Sequence, residues 1–417
     1  MKTPSSVEVW LWLLLVMNPY NPKTTKLLAE YDSAEALCCD MRDGKCGNLS
    51  EAEKQRVKNT RTREVRQLME ECAANSIRIV TLDDPEYPYL LKNIFDPPIV
   101  LFVRGTLACF NGAVPLAVVG PRRPSQTAVS AARYLCSDLV NKGTLILSGL
   151  AVGIDTIAHT CAVSSRYPTV GVLACGHLVN YPAESEDLRK QIVEFGGAVV
   201  SELLPHATVT GRYFHRRNRI ISGMGLGTLL VEASTRSGCL ITANHTIEQG
   251  RDLFCVPPSD ITRESCAGVI SYLRDGAVPV FDYLDIVRSY MLEYFGEDYS
   301  GESDEELCVK TPITKFGVHT RNQKAIIPAA TAEQTQRPDN SPAPSPKKAK
   351  KTAPKSLEGL TELQQKLMHL IENQAQTADE LIAQTGIPYA EAVEALTELE
   401  IMGHITLLPE GKYEINA

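Results

Sequence analysis

The sequence predicts an α/β chain: a Rossmann-like, mainly parallel, doubly wound sheet with a small N-terminal helical domain and a C-terminal winged-helix module. Three observations lead there. Short apolar runs recur at 115–119, 144–147, 169–174, 197–200, 227–231 and 252–256, most of them separated by helical segments. Buried strands alternating with helices build parallel sheets covered on both faces. Before about residue 75 the apolar positions have helical spacing instead, and after 357 three helices and a hairpin can be read, the order of a winged helix.

Taken in order, apolar residues cluster at 9–17, 27–28 and 35–38, and two charged helical stretches follow at 51–59 and 62–73. Asn18-Pro19 and Asn21-Pro22 punctuate the first turn. Residues 1–75 are thus expected to form the helical domain. Strand candidates at 77–82 and 99–103 flank the turn Asp83–Pro88 and the breaker Asp96-Pro97-Pro98, making 76–114 a strand-rich lead-in to a core over 115–290. Residues 291–356, with Pro338, Pro342, Pro344 and Pro346 followed by Lys347, Lys348, Lys350 and Lys351, read as a low-complexity linker that cannot bury enough surface to fold. The module over 357–417 begins with a helix marked by Leu363, Leu367 and Leu370.

Charge narrows the function. The 417 residues carry a net charge of −8, so only a local patch could hold a polyanion. The C-terminal module has two Lys against eleven Asp and Glu. Its candidate recognition helix bears Glu391, Glu394, Glu398 and Glu400, so duplex phosphates would repel it and a protein contact or self-association fits better. The core segment 115–280 is near neutral, with fifteen Lys and Arg against thirteen Asp and Glu, but its basic groups concentrate in expected loops at 122–123 and 212–219. Twelve cysteines form no CxxC pair, which offers no zinc spacing and points to buried thiols in a reducing compartment. The apolar stretch Val7–Met17 is too short to span a bilayer and lacks signal-peptide flanks, so a cytoplasmic chain without membrane insertion is expected.

Five strand ends carry the candidate site. Gly120-Pro121-Arg122-Arg123-Pro124-Ser125 leaves a strand and enters a helix, where free N–H groups and two guanidiniums suit an anion. It is neither a dinucleotide fingerprint nor a Walker A loop. Ser148-Gly149 through Gly153-Ile154-Asp155 permits close backbone approach. Asp155 and His159 share a helical face and are expected to hydrogen-bond, positioning the loop. Leu173–Gly176 and Asn180-Tyr181-Pro182 form the third edge, where Cys175 has no neighbouring base. In Phe214-His215-Arg216-Arg217-Asn218-Arg219, an aromatic beside arginines is what single strands use, with stacking on a base and guanidiniums on the backbone. The last candidates are Gly225–Thr228, Glu232, Ser237-Gly238 and Thr242. There Glu232 would hydrogen-bond a base, orient Arg219 or pin a turn. The ligand expected of this shared edge is anionic and extended.

Together these residues resemble the DNA-processing protein A family (DprA, also called Smf) of bacterial natural transformation. The resemblance covers about residues 75–280 and rests on Asp96-Pro97-Pro98, Arg104-Gly105, Val119-Gly120 with Arg122 and Ser125, Ser148-Gly149-Leu150-Ala151, Gly153-Ile154-Asp155, Arg217-Asn218-Arg219-Ile220-Ile221, Val231-Glu232-Ala233, Ser237-Gly238 and Gln249-Gly250-Arg251. It implies a Rossmann-like core that binds single-stranded DNA without cutting it, forms a homodimer, promotes loading of a RecA-type recombinase and acts against single-strand-binding protein. It implies no catalytic residue, metal or cofactor. Arg122, Arg217 and Arg219 become the expected phosphate contacts, with Phe214 near the strand. The nucleic-acid set extends to Arg123, Ser125, Ser148, Gly149, Arg216, Asn218, Ser237 and Gly238. Gly120, Gly153, Asp155, His159, Glu232 and Thr242 are expected to shape the pocket. The chain departs from the family at Pro121, Ala128, Val152 and Pro258, where Ser, Gly, Arg and Gly are usual, and so offers fewer donors.

Two rivals differ in class. Gly225-Leu226-Gly227-Thr228 with Glu232 faintly resembles the signature of nucleotide phosphoribohydrolases, although the glutamate falls one residue late. The acidic C-terminal module and the uncharged Val152 instead motivate a protein-interaction scaffold with a vestigial pocket.

Overall fold

The computed structural model describes residues 6–294, 360–373, 376–385, 387, 389–401, 404–407 and 412–415. Most of the expected linker, 295–356, lies outside the described residues. Contacts divide the chain into two units, Met1–Phe316 and Gly317–Ala417.

The first unit opens with five helices: α1 (Val7–Met17), α2 (Pro22–Ala29), α3 (Ala34–Arg42), α4 (Glu51–Asn59) and α5 (Thr62–Ala74). Helix α1 is apolar on nearly every side because it is the buried axis of this bundle, with Trp10, Leu11, Leu13, Leu14 and Met17 all sequestered. A reciprocal capping box between Ser50 and Glu53 starts α4. The bundle packs on the strand that contributes Val100 and Phe102, so its core is continuous with one end of the sheet.

The sheet contains β1 (Arg78–Thr81), β2 (Val100–Gly105), β3 (Val114–Val119), β4 (Thr144–Ser148), β5 (Thr169–Val172), β6 (Ala198–Ser201), β7 (Gly227–Leu230), β8 (Asp252–Cys255) and β9 (Val278–Pro279). Between them run α6 (Tyr89–Lys92), α7 (Gln126–Asn141), α8 (Ile154–Ser164), α9 (Glu186–Glu194), α10 (Gly211–Met224), α11 (Cys239–Glu248) and α12 (Ala267–Arg274), and α13 (Leu284–Tyr294) follows β9. The strand order is β1-β2-β6-β5-β4-β3-β7-β8-β9. From β6 to β9 every pairing is parallel, and β1 and β2 add an antiparallel margin. The lead-in strands therefore belong to the same sheet as the core.

Strands β3 to β7 are buried along their whole length, as two covered faces require. Helices α7, α8 and α13 cover the face that presents Leu116, Val118 and Ile146. Helix α10 brings Ile220, Ile221 and Met224 to the other face, against Ala117, Val119, Leu145 and Leu147. The chain winds outward from β3 to β6 and then returns through α10 to β7 on the far side of β3. A crevice opens at such a switch point, beyond the C-terminal strand ends.

The second unit has α14 (Glu362–Asn373), β10 (Gln376–Thr377), α15 (Ala378–Thr385), α16 (Tyr389–Ile401), β11 (Ile405–Leu407) and β12 (Lys412–Ile415). Its three-stranded sheet runs β10-β12-β11, a winged-helix arrangement with one short strand more than the sequence predicts. Leu367, Leu381, Leu396 and Ile405 form its core.

Candidate nucleic-acid interface

Two segments meet at the switch point. The first is the β3–α7 loop. Ser125 caps α7 through its Oγ, which accepts from the Ala128 N–H at 3.2 Å. Its own N–H donates to Glu232 Oε2 at 2.8 Å, while Glu232 Oε1 accepts from Ser265 Oγ at 2.8 Å. Glu232 is therefore a buried carboxylate that pins this turn, and Arg219 is paired instead with Asp96 and Glu202. Two glycines let this loop lie against the start of α8. A Cβ on Gly120 would stand 2.5 Å from Ile154, and one on Gly153, whose φ is +92°, would stand 2.4 Å from the Pro121 carbonyl oxygen. Anchored this way, the loop leaves Arg122 and Arg123 exposed.

The second segment is α10. Phe214–Arg219 is the middle of this 14-residue helix and not a loop. Helical spacing sorts its residues. Phe214 is half-buried, with the Arg122 guanidinium 5.2 Å and the Arg217 guanidinium 5.9 Å from its ring centroid. Tyr181 meets the same ring edge-on at 5.8 Å. Arg122 and α10 thus share one face, and an aromatic ring between two cations is held where a flexible strand could reach it. Arg216 and Asn218 are half-buried, and Asn218 Nδ2 donates to the Gly238 carbonyl at 3.5 Å. That contact links α10 to the exposed Gly238 at the start of α11, beside Ser237, whose Oγ accepts from the Ser234 N–H at 2.9 Å.

Four expected contacts turn inward. Arg219 is 4% exposed; its Nη2 lies 2.9 Å from both oxygens of Glu202, and its Nε lies 3.0 Å from Asp96 Oδ2. Burial alone would lower the Arg219 pKa, but the two carboxylates hold it above its ordinary value. It is the centre of an internal ion-pair cluster. Arg217 is also 4% exposed and donates to the carbonyls of Gly149 and Val172. Burial pulls its pKa down, opposed first by Asp155. A Cβ on Gly149 would come within 2.5 Å of that guanidinium, so this glycine makes room for Arg217. Ser148 is fully buried, its hydroxyl donating to the Val118 carbonyl at 2.7 Å. Arg217 therefore occupies the space beside Gly149 at the C-terminal ends of β4 and β5, with the Phe214 ring 5.9 Å away.

Asp155 and His159 do not hydrogen-bond to each other. Asp155 Oδ2 accepts from the Ala151 N–H at 3.4 Å, and His159 Nδ1 pairs with Thr169 Oγ1 at 2.8 Å. The Thr169 hydroxyl already donates to the Ile146 carbonyl at 2.7 Å, so the histidine nitrogen is the donor. Burial pushes the His159 pKa down to about 3, which keeps the ring neutral. Thr242 is buried in α11, its carbonyl accepting from Thr246 Oγ1 at 2.8 Å. Thr228, part of the phosphoribohydrolase-like signature, is fully buried against Thr246 at 2.6 Å, so that signature faces inward. Burial pushes the Cys175 thiol up, away from nucleophilic thiolate. Among the described residues, no group of three or more His, Cys, Asp or Glu side chains could hold a metal ion. Among them, too, no helix is long and apolar enough to cross a membrane.

Sequence reasoning missed Tyr20, Tyr213 and the partners of Arg219. Tyr181 stood inside a noted loop motif, but nothing in its spacing announced its contact with Phe214.

The family model for DNA recombination-mediator protein A matches residues 78–291. The chain belongs to the DprA/Smf family. A second model, the DprA winged helix domain, matches residues 351–411. Among relatives, the DNA processing protein DprA of Bacillus subtilis (strain 168) is 34% identical over 210 residues, covering 50% of this chain and 70% of that protein. The Smf protein of Escherichia coli (strain K12) is 30% identical over 333 residues, covering 80% of this chain and 76% of its own length. The crystal structure of DprA from Streptococcus pneumoniae superposes with a TM-score of 0.60 at 27% identity, covering 69% of this chain and 98% of that one. Membership in the DprA/Smf family accounts for the doubly wound core and the winged-helix module together.

Proposed function

We propose that the chain binds single-stranded DNA without cleaving it, on the surface formed by Arg122, Arg123, Phe214, Arg216, Asn218, Ser237 and Gly238. The observation that carries this reading is the Phe214 ring at the switch-point crevice, flanked by Arg122 at 5.2 Å and by Arg217 at 5.9 Å. Exposed guanidiniums can take backbone phosphates, and a half-buried aromatic can stack on a base regardless of its identity. Arg217 contributes from beneath, as a buried charge that holds the ring and raises the local potential. Family membership supports the finer parts of the reading: a cytoplasmic homodimer that uses the bound strand to load a RecA-type recombinase in competition with single-strand-binding protein. The winged-helix module is proposed to meet protein, since its two Lys stand against eleven acidic residues.

The test is a fluorescence-anisotropy titration with an unstructured oligonucleotide at several salt concentrations. Phosphate contacts require log affinity to fall linearly with log salt, by about 0.7 per neutralised phosphate on a single strand. A flat salt profile, or no binding, refutes the proposal.

A further inference from the structure

The N-terminal helical bundle touches α10 through one residue whose contacts the proposed binding surface does not explain. Tyr20 sits in the turn between α1 and α2 with φ 63°, a left-handed conformation uncommon for a residue with a side chain. The turn is fastened to its own bundle on the far side. Asn21 Nδ2 donates to the Met17 carbonyl at 2.9 Å and to Glu53 Oε1 at 3.2 Å, and Glu53 Oε2 also takes Lys23 at 2.6 Å. Towards the sheet, Tyr20 makes four contacts. Its N–H donates to Glu202 Oε1 at 3.4 Å, and its carbonyl accepts from Arg216 Nη1 at 3.3 Å. Its ring lies 5.5 Å from that of Tyr213, and the Arg219 guanidinium is 5.4 Å from its centroid.

Tyr213, Arg216 and Arg219 are spaced by three and form one ridge of α10, so a single side chain and its peptide units grip two turns of the helix. Phe214 follows Tyr213 directly, and Arg216 belongs to the proposed strand-binding surface itself. The Tyr20 hydroxyl is buried without a hydrogen-bond partner among the described residues, so the grip depends on the ring and the backbone and not on the phenol oxygen.

We infer that Tyr20 is a positioning residue through which the N-terminal helical bundle holds the strand-binding face of α10 in register with the Arg122 loop. This inference rests on the single-strand reading of that face. Without the ring, α10 loses its aromatic contact at Tyr213 and the cation–π contact at Arg219, and its first two turns rest on the Arg217 bonds to Gly149 and Val172 and on the contact of Phe214 with Tyr181. Phe214 and Arg216 then sample positions that no longer match Arg122, and binding loses its pre-organisation.

The experiment pairs hydrogen–deuterium exchange over residues 209–224 with oligothymidine binding, in the full chain. Tyr20→Phe keeps the ring and should match the parent in both. Tyr20→Gly keeps the left-handed turn and both backbone hydrogen bonds but removes the ring. It should speed exchange in the first two turns of α10 and weaken binding, each by roughly tenfold, the scale of one aromatic pair plus one cation–π contact. Tyr213→Leu, which attacks the same contact from the helix side, should speed exchange similarly and stands in if the glycine variant does not fold. Parent-like exchange in both ring-deleting variants overturns the inference, as does a Tyr20→Phe variant as weak as Tyr20→Gly, or faster exchange without weaker binding. A parent chain that fails to bind oligothymidine refutes the single-strand reading and takes the inference with it. That failure is recognisable because the parent itself is then silent, whatever the exchange shows.

Discussion

Replacing Arg122 and replacing Arg219 should have opposite consequences, although both are arginines within the same family motifs. Arg219 is 5% exposed at the side chain and is shared between Glu202, also 5% exposed, and Asp96. Arg219→Met leaves the Glu202 carboxylate buried without its cation. Breaking a buried pair from one side costs about 3–5 kcal/mol, a large share of the about 5–15 kcal/mol that holds a typical domain. Urea titration should show that loss in the midpoint. The folded fraction should bind single strands with an unchanged salt slope, because no phosphate contact has gone. Glu202→Leu together with Arg219→Met should recover much of the stability, since apolar replacement of a whole buried pair is often neutral or better. Arg122→Ala instead removes an exposed side chain and should change stability by less than about 0.5 kcal/mol, while lowering the salt slope by about 0.7. The reasoning fails if Arg219→Met is as stable as the parent and loses salt-dependent binding, for then the guanidinium faces the strand after all.

Other expectations follow from the same geometry. Phe214→Ala should weaken single-strand binding by about 1–3 kcal/mol with little change in salt slope, because stacking releases no counterions; anisotropy at two salt concentrations separates the terms. Glu232→Ala strips acceptors from Ser125 and Ser265, so the Arg122 loop should exchange faster and the fold should lose about 1–3 kcal/mol. Burial holds the His177 pKa at about 4 and that of His159 at about 3. Both lie below the unfolded value of about 6.5, so the unfolded chain takes up protons first. The stability they contribute is whole above about pH 6.5 and is lost as pH falls towards 4, by about 1.4 kcal/mol per pH unit for each ring. Replacing both with neutral isosteres should flatten the urea midpoint between pH 6.5 and 4.5.

The parallel sheet was legible because its strands are nearly unbroken apolar runs, and each expected run from 115 to 256 overlaps one of β3 to β8 to within a residue or two. The β3–α7 loop was legible from Gly120, the arginines and the Ser125 cap. Helix α10 was not, because Phe214–Arg219 is mostly polar, and its pattern makes sense only once the strand ends, the Tyr20 turn and the Glu202 pair are known to surround different sides of it. The inward turn of Arg219 depends on Asp96, from the loop between α6 and β2, and on Glu202, at the end of β6, and no local spacing encodes that meeting. Gly149 looked like an open approach to a ligand for the same reason: a glycine vacates space, and only the fold reveals that Arg217 fills it.

Photocrosslinking tests the account at its centre. A thymidine-rich oligonucleotide carrying iodouracil would be irradiated with the full chain and the adducts mapped by mass spectrometry. Adducts should fall on residues 211–218, foremost Phe214, with others in 120–125, and excess unlabelled single strand should abolish them. Adducts confined to the winged-helix module or to the opposite edge of the sheet would contradict the account.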